Sequence, residues 1–118
     1  MNEQVNMLIV ENRANSQQKL QQTLSGWPVI RVVGAAADGE DALRIVERRQ
    51  PDVVVMSTQI PVLDGIQTTQ IIKALWSSVK VVLIGPQASD RRLAIEAGAD
   101  AFLVDGFSDE DLLRAVIQ

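Results

Sequence analysis

Short apolar runs alternate with amphipathic stretches along the whole chain. Val5–Val10 (VNMLIV), Ile30–Ala35 (IRVVGA), Val53–Met56 (VVVM), Lys80–Ile84 (KVVLI) and Ala101–Val104 (AFLV) read as strands. The stretches between them carry helical spacing and helix-start signals. Asn15–Leu24 has Leu20 and Leu24 one turn apart. Asp38 can cap a second helix whose apolar stripe is Ala42, Leu43, Ile45 and Val46. Asp64, with Gln67 three residues on, has the spacing of a capping box and opens a third, with Ile66, Ile71, Ile72 and Leu75 as its core face. Asp90–Ala97 predicts a short helix closed by Gly98. Ser108, with Asp111, opens the last, with Leu112, Leu113, Val116 and Ile117 facing inward.

A strand–helix pair therefore recurs five times. The third and fourth strands are continuously apolar instead of alternating, so both of their faces must be covered. That is the mark of a parallel sheet between two helix layers. Right-handed crossovers and short loops favour an open, doubly wound α/β sheet. Such sheets place their functional crevice beyond the carboxyl ends of the strands. The rule selects Glu11 and Asn12, Ser57 to Gln59, Gly85 with Pro86, and Asp105.

Composition narrows the chemistry. The 118 residues suit one domain, and 47% apolar with 3% aromatic content means an aliphatic core. A net charge of −4 without a basic cluster argues against direct nucleic-acid binding. The Arg48–Arg49 and Arg91–Arg92 pairs read as solvated helix faces. There is no cysteine, hence no disulfide or thiolate chemistry, and no histidine, which removes the commonest general base and transition-metal ligand. No apolar run approaches the roughly 18 residues of a membrane span, and the opening MNEQVN lacks the pattern of an export signal. A cytoplasmic protein is expected. There is no Walker motif, GxGxxG or GxSxG elbow, so no enzyme is expected.

The segments MLIVEN, VVGAAADGEDAL, PDVVVMSTQIPVLDGIQ, KVVLIG and AGADAFLVDGFSDEDLLRAV, in this order, resemble the receiver domain of two-component response regulators, most of all receivers that precede a LuxR-type helix-turn-helix. The resemblance runs from Val5 to Val116. It implies a flavodoxin-like (βα)5 domain over residues 1–118, a five-stranded parallel sheet in order 2-1-3-4-5 with helices on both faces, and a place in the N-terminal part of a longer protein. Receivers phosphorylate themselves on an aspartate with a divalent ion. That chemistry needs a nucleophilic carboxylate, hard oxygen ligands for the ion, and a lysine and a hydroxyl for the phosphoryl oxygens. Carried over by motif, the acid pair falls on Glu11 and Asn12, the nucleophile on Ser57, the hydroxyl on Gly85 and the lysine on Asp105. The switch aromatic falls on Phe102, while Pro61, Asp64 and Gly65 are kept.

The expectation is thus a degenerate receiver: a phosphorylation-independent interaction module in signal transduction. Its degenerate crevice would comprise Glu11, Asn12, Ser57, Gln59, Gly85 and Asp105, with no catalytic residue and no cofactor. A metal is not expected; Glu11, with the Gln59 carbonyl, is the single weak foothold for one. A phosphoryl group there would meet Glu11 and Asp105 without a cation. The partner would be another protein or a second copy, through the face of the fourth helix, fifth strand and fifth helix, or through the first and fifth helices. Val104, Phe107, Leu112 and Val116 are the candidate contacts, and Trp27 and Trp76 are possible anchors in loops. DNA would be reached only through an output domain after Gln118. The alternative is a sensor that holds a small ligand or anion in the vacated crevice.

Overall fold

A computed structural model describes residues 4–118; the first three residues of the MNEQVN segment lie outside it. The elements are β1 (Val5–Val10), α1 (Ala14–Ser25), β2 (Ile30–Ala36), α2 (Gly39–Arg49), β3 (Val53–Ser57), α3 (Gly65–Leu75), β4 (Lys80–Gly85), α4 (Arg91–Glu96), β5 (Ala101–Val104) and α5 (Asp109–Ile117). The sheet is parallel throughout, in the order β2-β1-β3-β4-β5. This is the flavodoxin-like, doubly wound architecture expected from the alternation of elements.

Side chains alternate across each strand, and the two faces collect two cores. Leu8, Val10, Val54, Met56, Val81, Leu83 and Phe102 pack under α2, α3 and α4 with Ala42, Val46, Ile72 and Ala94. Met7, Ile9, Val53, Val55, Val82 and Ile84 pack under α1 and α5 with Leu24, Leu112 and Val116. The continuous apolar runs of β3 and β4 follow directly, since every second residue serves a different core.

The helix starts expected from sequence are present. Asp38 accepts the Asp41 N–H at 2.7 Å. Asp64 with Gln67, and Ser108 with Asp111, each form a reciprocal capping box. Gly98, at φ 104°, closes α4: its N–H donates to Ile95 O and that of Ala99 to Ala94 O, the paired bonds of a Schellman motif.

Four expectations need correction. The fourth helix is α only over Arg91–Glu96, and Ala88–Asp90 precedes it as a 3₁₀ turn. Helix α3 buries Gly65, Thr68, Thr69 and Ile72, whereas Leu75 is exposed. The threonines can be buried because Thr68 Oγ1 donates to Asp64 O and Thr69 Oγ1 to Gly65 O, one turn back. Ile117 is exposed at the end of α5. Leu112 and Val116, expected as interface residues, are 1% and 2% exposed in the core beneath α5, so neither can contact a partner. A helix carrying a single apolar stripe uses it to cover the sheet first. Trp27 and Trp76 are half-buried against the two cores, and no helix among the described residues is long and apolar enough to cross a membrane.

Candidate functional site

The crevice is built by the sheet ladder running past the strand ends. Glu11 N–H donates to Ala36 O, Thr58 N–H to Ile84 O and Asp105 N–H to Gly85 O, at 2.9–3.0 Å. With Val10 beside Met56 and Ser57 beside Ile84, the residues after β1, β3 and β5 are held at one edge of the sheet. Gln17, one turn into α1, tightens that edge: its side-chain amide donates to Glu11 O at 2.9 Å and to Ala36 O at 3.2 Å.

Strand parity then divides the expected site. Glu11, Ser57 and Asp105 continue the positions that face α1 and α5, while Gly85 and Phe102 fall on the α4 side. Glu11, Ser57 and Asp105 accordingly meet in one groove of about 230 Å³, with Arg13, Ser16, Lys19, Leu20 and Thr23 from α1 and its approach, and Gly106, Phe107, Asp109 and Leu112 from the α5 side. Asn12 and Gln59 are exposed and do not line it. The expected crevice is therefore half assembled, and its α4 half is a separate packing unit.

Glu11 is the electrostatic centre of the groove and is 3% exposed. Arg13 Nη2 and Nε donate to its Oε1 at 2.9 and 3.2 Å, and the Asn12 N–H donates to its Oε2 at 2.9 Å. The expectation that an anion would meet Glu11 without a nearby cation is thus corrected. Arg13 was missed because the pair spans an irregular turn between β1 and α1, where no helical or strand spacing announces it. The only sequence signal is the E-N-R order itself. Lys19, on the same wall, makes no ion pair among the described residues.

Ser57 is 9% exposed, and its Oγ accepts the Gln59 N–H at 3.1 Å. No side-chain base bonds to this hydroxyl among the described residues. A serine alcohol without a base is a weak nucleophile. The divalent ion that the resemblance implies does not fit this donor set. Glu11 already faces three N–H donors, Ser57 is neutral and Asn12 and Asp105 are exposed. Hard cations want carboxylate oxygens free to turn toward them, and among the described residues no cluster of three or more metal-ligating side chains exists.

On the α4 side, Gly85 leaves room for an aromatic ring. A Cβ at Gly85 would lie 3.0 Å from Phe102 Cε1 and Cζ and 3.3 Å from Asp90 Oδ2. Phe102 is 3% exposed, and the Arg91 guanidinium carbon sits 5.6 Å from its ring centre. Arg91 is therefore more than a solvated helix charge. Of the remaining interface candidates, Val104 is half-buried against the α2–α4 core and Phe107 against the α1–α5 core. A larger depression of about 630 Å³ lies at the opposite edge, lined by Lys73, Lys80, Asp100 and Arg114 among others. Its polar groups serve the fold. Lys73 Nζ donates to Ser77 O, Val79 O and Asp100 Oδ2, and Lys80 Nζ to Val116 O. Burial holds the Lys80 ammonium below its ordinary pKa, partly opposed by Asp100.

Known proteins agree with this architecture. The family profile of the response regulator receiver domain matches residues 7–117. The nitrate/nitrite response regulator protein NarL of Escherichia coli K12 is 28% identical over 118 residues, covering 98% of this chain and 55% of that protein. The transcriptional regulatory protein PrrA of Mycobacterium tuberculosis is 36% identical over 95 residues, covering 79% of this chain and 39% of that protein. Among solved structures, the signal receiver domain of the response regulator NarL from Mycobacterium tuberculosis superposes with a TM-score of 0.91 at 25% identity, covering 98% of this chain and 94% of that one. The chain spans about half the length of the first of these curated relatives, or less. With strand order and family profile in agreement over nearly the whole chain, this chain belongs to the response regulator receiver domain family.

Proposed function

We propose that this receiver domain works in signal transduction without aspartyl phosphorylation, as a regulatory module that acts through binding. One observation carries the reading. The end of β3, where the family resemblance calls for a nucleophilic carboxylate, presents a serine hydroxyl to which no base is bonded among the described residues. The neutral Asn12 and the acidic Asp105, at the places of a metal ligand and a lysine, point the same way. Incubation with acetyl phosphate and Mg²⁺, read by intact mass and by acid- and base-lability, tests it. The mass stays unchanged on this reading; a phosphoryl adduct labile in both acid and alkali, the behaviour of an acyl phosphate, would refute it.

The partner is a protein or a second copy, within the cytoplasm. With Leu112 and Val116 withdrawn, Val104 and Phe107 remain the candidates, beside the exposed Leu93, Ile95 and Ile117 of α4 and α5. Two-fold pairing through one self-complementary face is the simplest assembly. If the wild-type chain is a dimer by sedimentation, Phe107→Ser and Val104→Ser should shift it to monomer. An unchanged mass in both would reject this surface. The curated relatives are named as response and transcriptional regulators, and we propose a transcriptional output for the protein carrying this domain, with DNA contacted outside these residues.

A second reading is favoured by the groove itself. It joins cations on the α1 wall to Asp105 and Asp109 on the α5 wall over an apolar floor of Leu20, Ile84 and Leu112. Such a lining suits a small ligand with charges of both signs better than a simple anion. A thermal-shift screen against metabolites discriminates, since a ligand of the native state raises stability.

A further inference from the structure

We propose that Arg13 is the resident cation of this crevice: it neutralises the buried Glu11, holds the place a divalent ion would need, and thereby makes the domain independent of metal. The idea rests on the phosphorylation-independent reading above and extends it to what replaced the metal.

Two independent observations carry it. The first is the geometry at Glu11. Its side chain is 3% exposed whereas that of Arg13 is 62% exposed, so the arginine reaches in from the rim and delivers its guanidinium to the carboxylate. Oε1 receives Arg13 Nε and Nη2, and Oε2 receives the Asn12 N–H. An ion approaching Glu11 meets the guanidinium already seated on Oε1 and finds only Oε2, which accepts one backbone N–H, free to turn toward it. Among the described residues no other cation bonds to Glu11. Lys19 lines the same groove without touching it, and Asp105 and Asp109 on the far wall have no ion-pair partner among the described residues.

The second observation is the position of Arg13 in the chain. It is the N-cap residue of α1, extended at φ −79° and ψ 122°, and α1 has no side-chain cap. That position favours Ser, Thr, Asp or Asn, whose side chains would satisfy the first helical N–H groups. A cation there faces the positive end of the helix. Local helix physics therefore does not explain the arginine, and its bonds to Glu11 do. The planar fork makes paired bonds to a carboxylate without stripping a tightly held hydration shell, whereas Mg²⁺ dehydrates reluctantly and asks for more than one carboxylate or a phosphate.

The test uses Mn²⁺ as a paramagnetic probe, read as broadening of backbone amide resonances in the whole chain. Four proteins are compared: wild type, Ser57→Asp, Arg13→Ala, and Ser57→Asp with Arg13→Ala. Wild type and Ser57→Asp should show no saturable broadening around residues 11–13 and 57–59 at millimolar Mn²⁺. The double variant should bind at least about tenfold more tightly than Ser57→Asp, the scale on which groups around a metal site change affinity. Saturable broadening at Glu11 in wild type, or equal affinity in Ser57→Asp and the double variant, would overturn the proposal. Wild type alone supplies a second readout should the double variant fail to fold. The Arg13 Nε–H resonance should exchange slowly and stay unmoved as Mg²⁺ is raised, and its release by millimolar Mg²⁺ would also overturn the idea. Labelling with acetyl phosphate separates the two levels. A phosphorylated wild type removes the reading beneath the proposal. An unphosphorylated wild type with no gain of Mn²⁺ binding in the double variant removes the role of Arg13 alone.

Discussion

Gly85→Ala should destabilise the domain although alanine suits a strand better than glycine. Where space allows, Gly→Ala stabilises by about 0.4–1 kcal/mol because the unfolded chain loses freedom. Here the new methyl would stand 3.0 Å from two carbons of the Phe102 ring and 3.3 Å from Asp90 Oδ2. The ring has two ways to respond. It can shift within a packed core, which costs about 1–3 kcal/mol as overpacking. It can instead swing outward and surrender its burial, worth about 1.5–3 kcal/mol. Either route gives a net loss near 1–2 kcal/mol after the entropic gain. Urea unfolding, followed by circular dichroism and by the fluorescence of Trp27 and Trp76, measures it. The decisive comparison is a cycle with Phe102→Leu, since leucine has no atoms where the ring carbons stand. In that background Gly85→Ala should be neutral or slightly stabilising, a coupling of about 1.5–2.5 kcal/mol, within the range found for residues in contact. Equal cost in both backgrounds would refute the claim that the ring occupies the Cβ space.

Arg13→Ala should cost about 1–3 kcal/mol, because the buried Glu11 carboxylate loses two charged donors, and Glu11→Gln in the same chain should recover part of it; urea midpoints decide. Val62→Gly should raise stability by about 1 kcal/mol, since Val62 is a β-branched, exposed residue at φ 71°, and an unchanged midpoint would mean that the loop relaxes without cost. Gly65→Ala should be severe, about 3 kcal/mol or more, because its methyl would run into backbone atoms of Ser57 and Thr58 that pin the loop to α3. Burial lowers the pKa of Lys80, so the unfolded chain binds more protons than the native one between the two values. Stability from this group therefore rises with pH across that alkaline window, and Lys80→Met should flatten the rise.

The fold was legible because each level of the sequence agreed with the next. β1 and β5 run as expected, and β2, β3 and β4 each extend by one residue, to Ala36, Ser57 and Gly85. Those extensions continue the ladder into small or polar residues, which apolar runs cannot signal. Helix α3 was misread at Thr68 and Thr69 because periodicity counts threonine as polar, and only the back-bonds to Asp64 and Gly65 make its burial cheap. By sequence Leu112 and Val116 suit both the core stripe of α5 and an interface, and burial decides for the core. The site was half legible. The rule that crevices lie beyond strand ends found Glu11, Ser57 and Asp105, but it carries no information on which face each residue takes. Arg13 and Lys19 lay beyond reach because they enter from α1, and the ring over Gly85 because a glycine does not announce what fills its place.

The division of the crevice by strand parity has a testable consequence. Arg13, Glu11 and Ser57 lie on the α1–α5 face, and Gly85, Phe102, Asp90 and Arg91 on the α4 face, with the sheet between them. No hydrogen bond or ion pair links the two groups among the described residues. Separated sites without shared partners add to within about 0.5 kcal/mol, whereas sites joined by one two-state element do not. Arg13→Ala and Gly85→Ala should therefore destabilise additively, while Arg13→Ala and Ser57→Asp, on one face, should couple by more than that. The physical reason is that Ser57→Asp adds a carboxylate beside Glu11, whose charge Arg13 must then share. Strong coupling between Arg13 and Gly85 would mean that the sheet transmits a switch between its faces, and that this receiver has kept a second conformation. Additivity would mean that the charge centre and the aromatic are two independent fixtures, each holding one face of the domain in a single state.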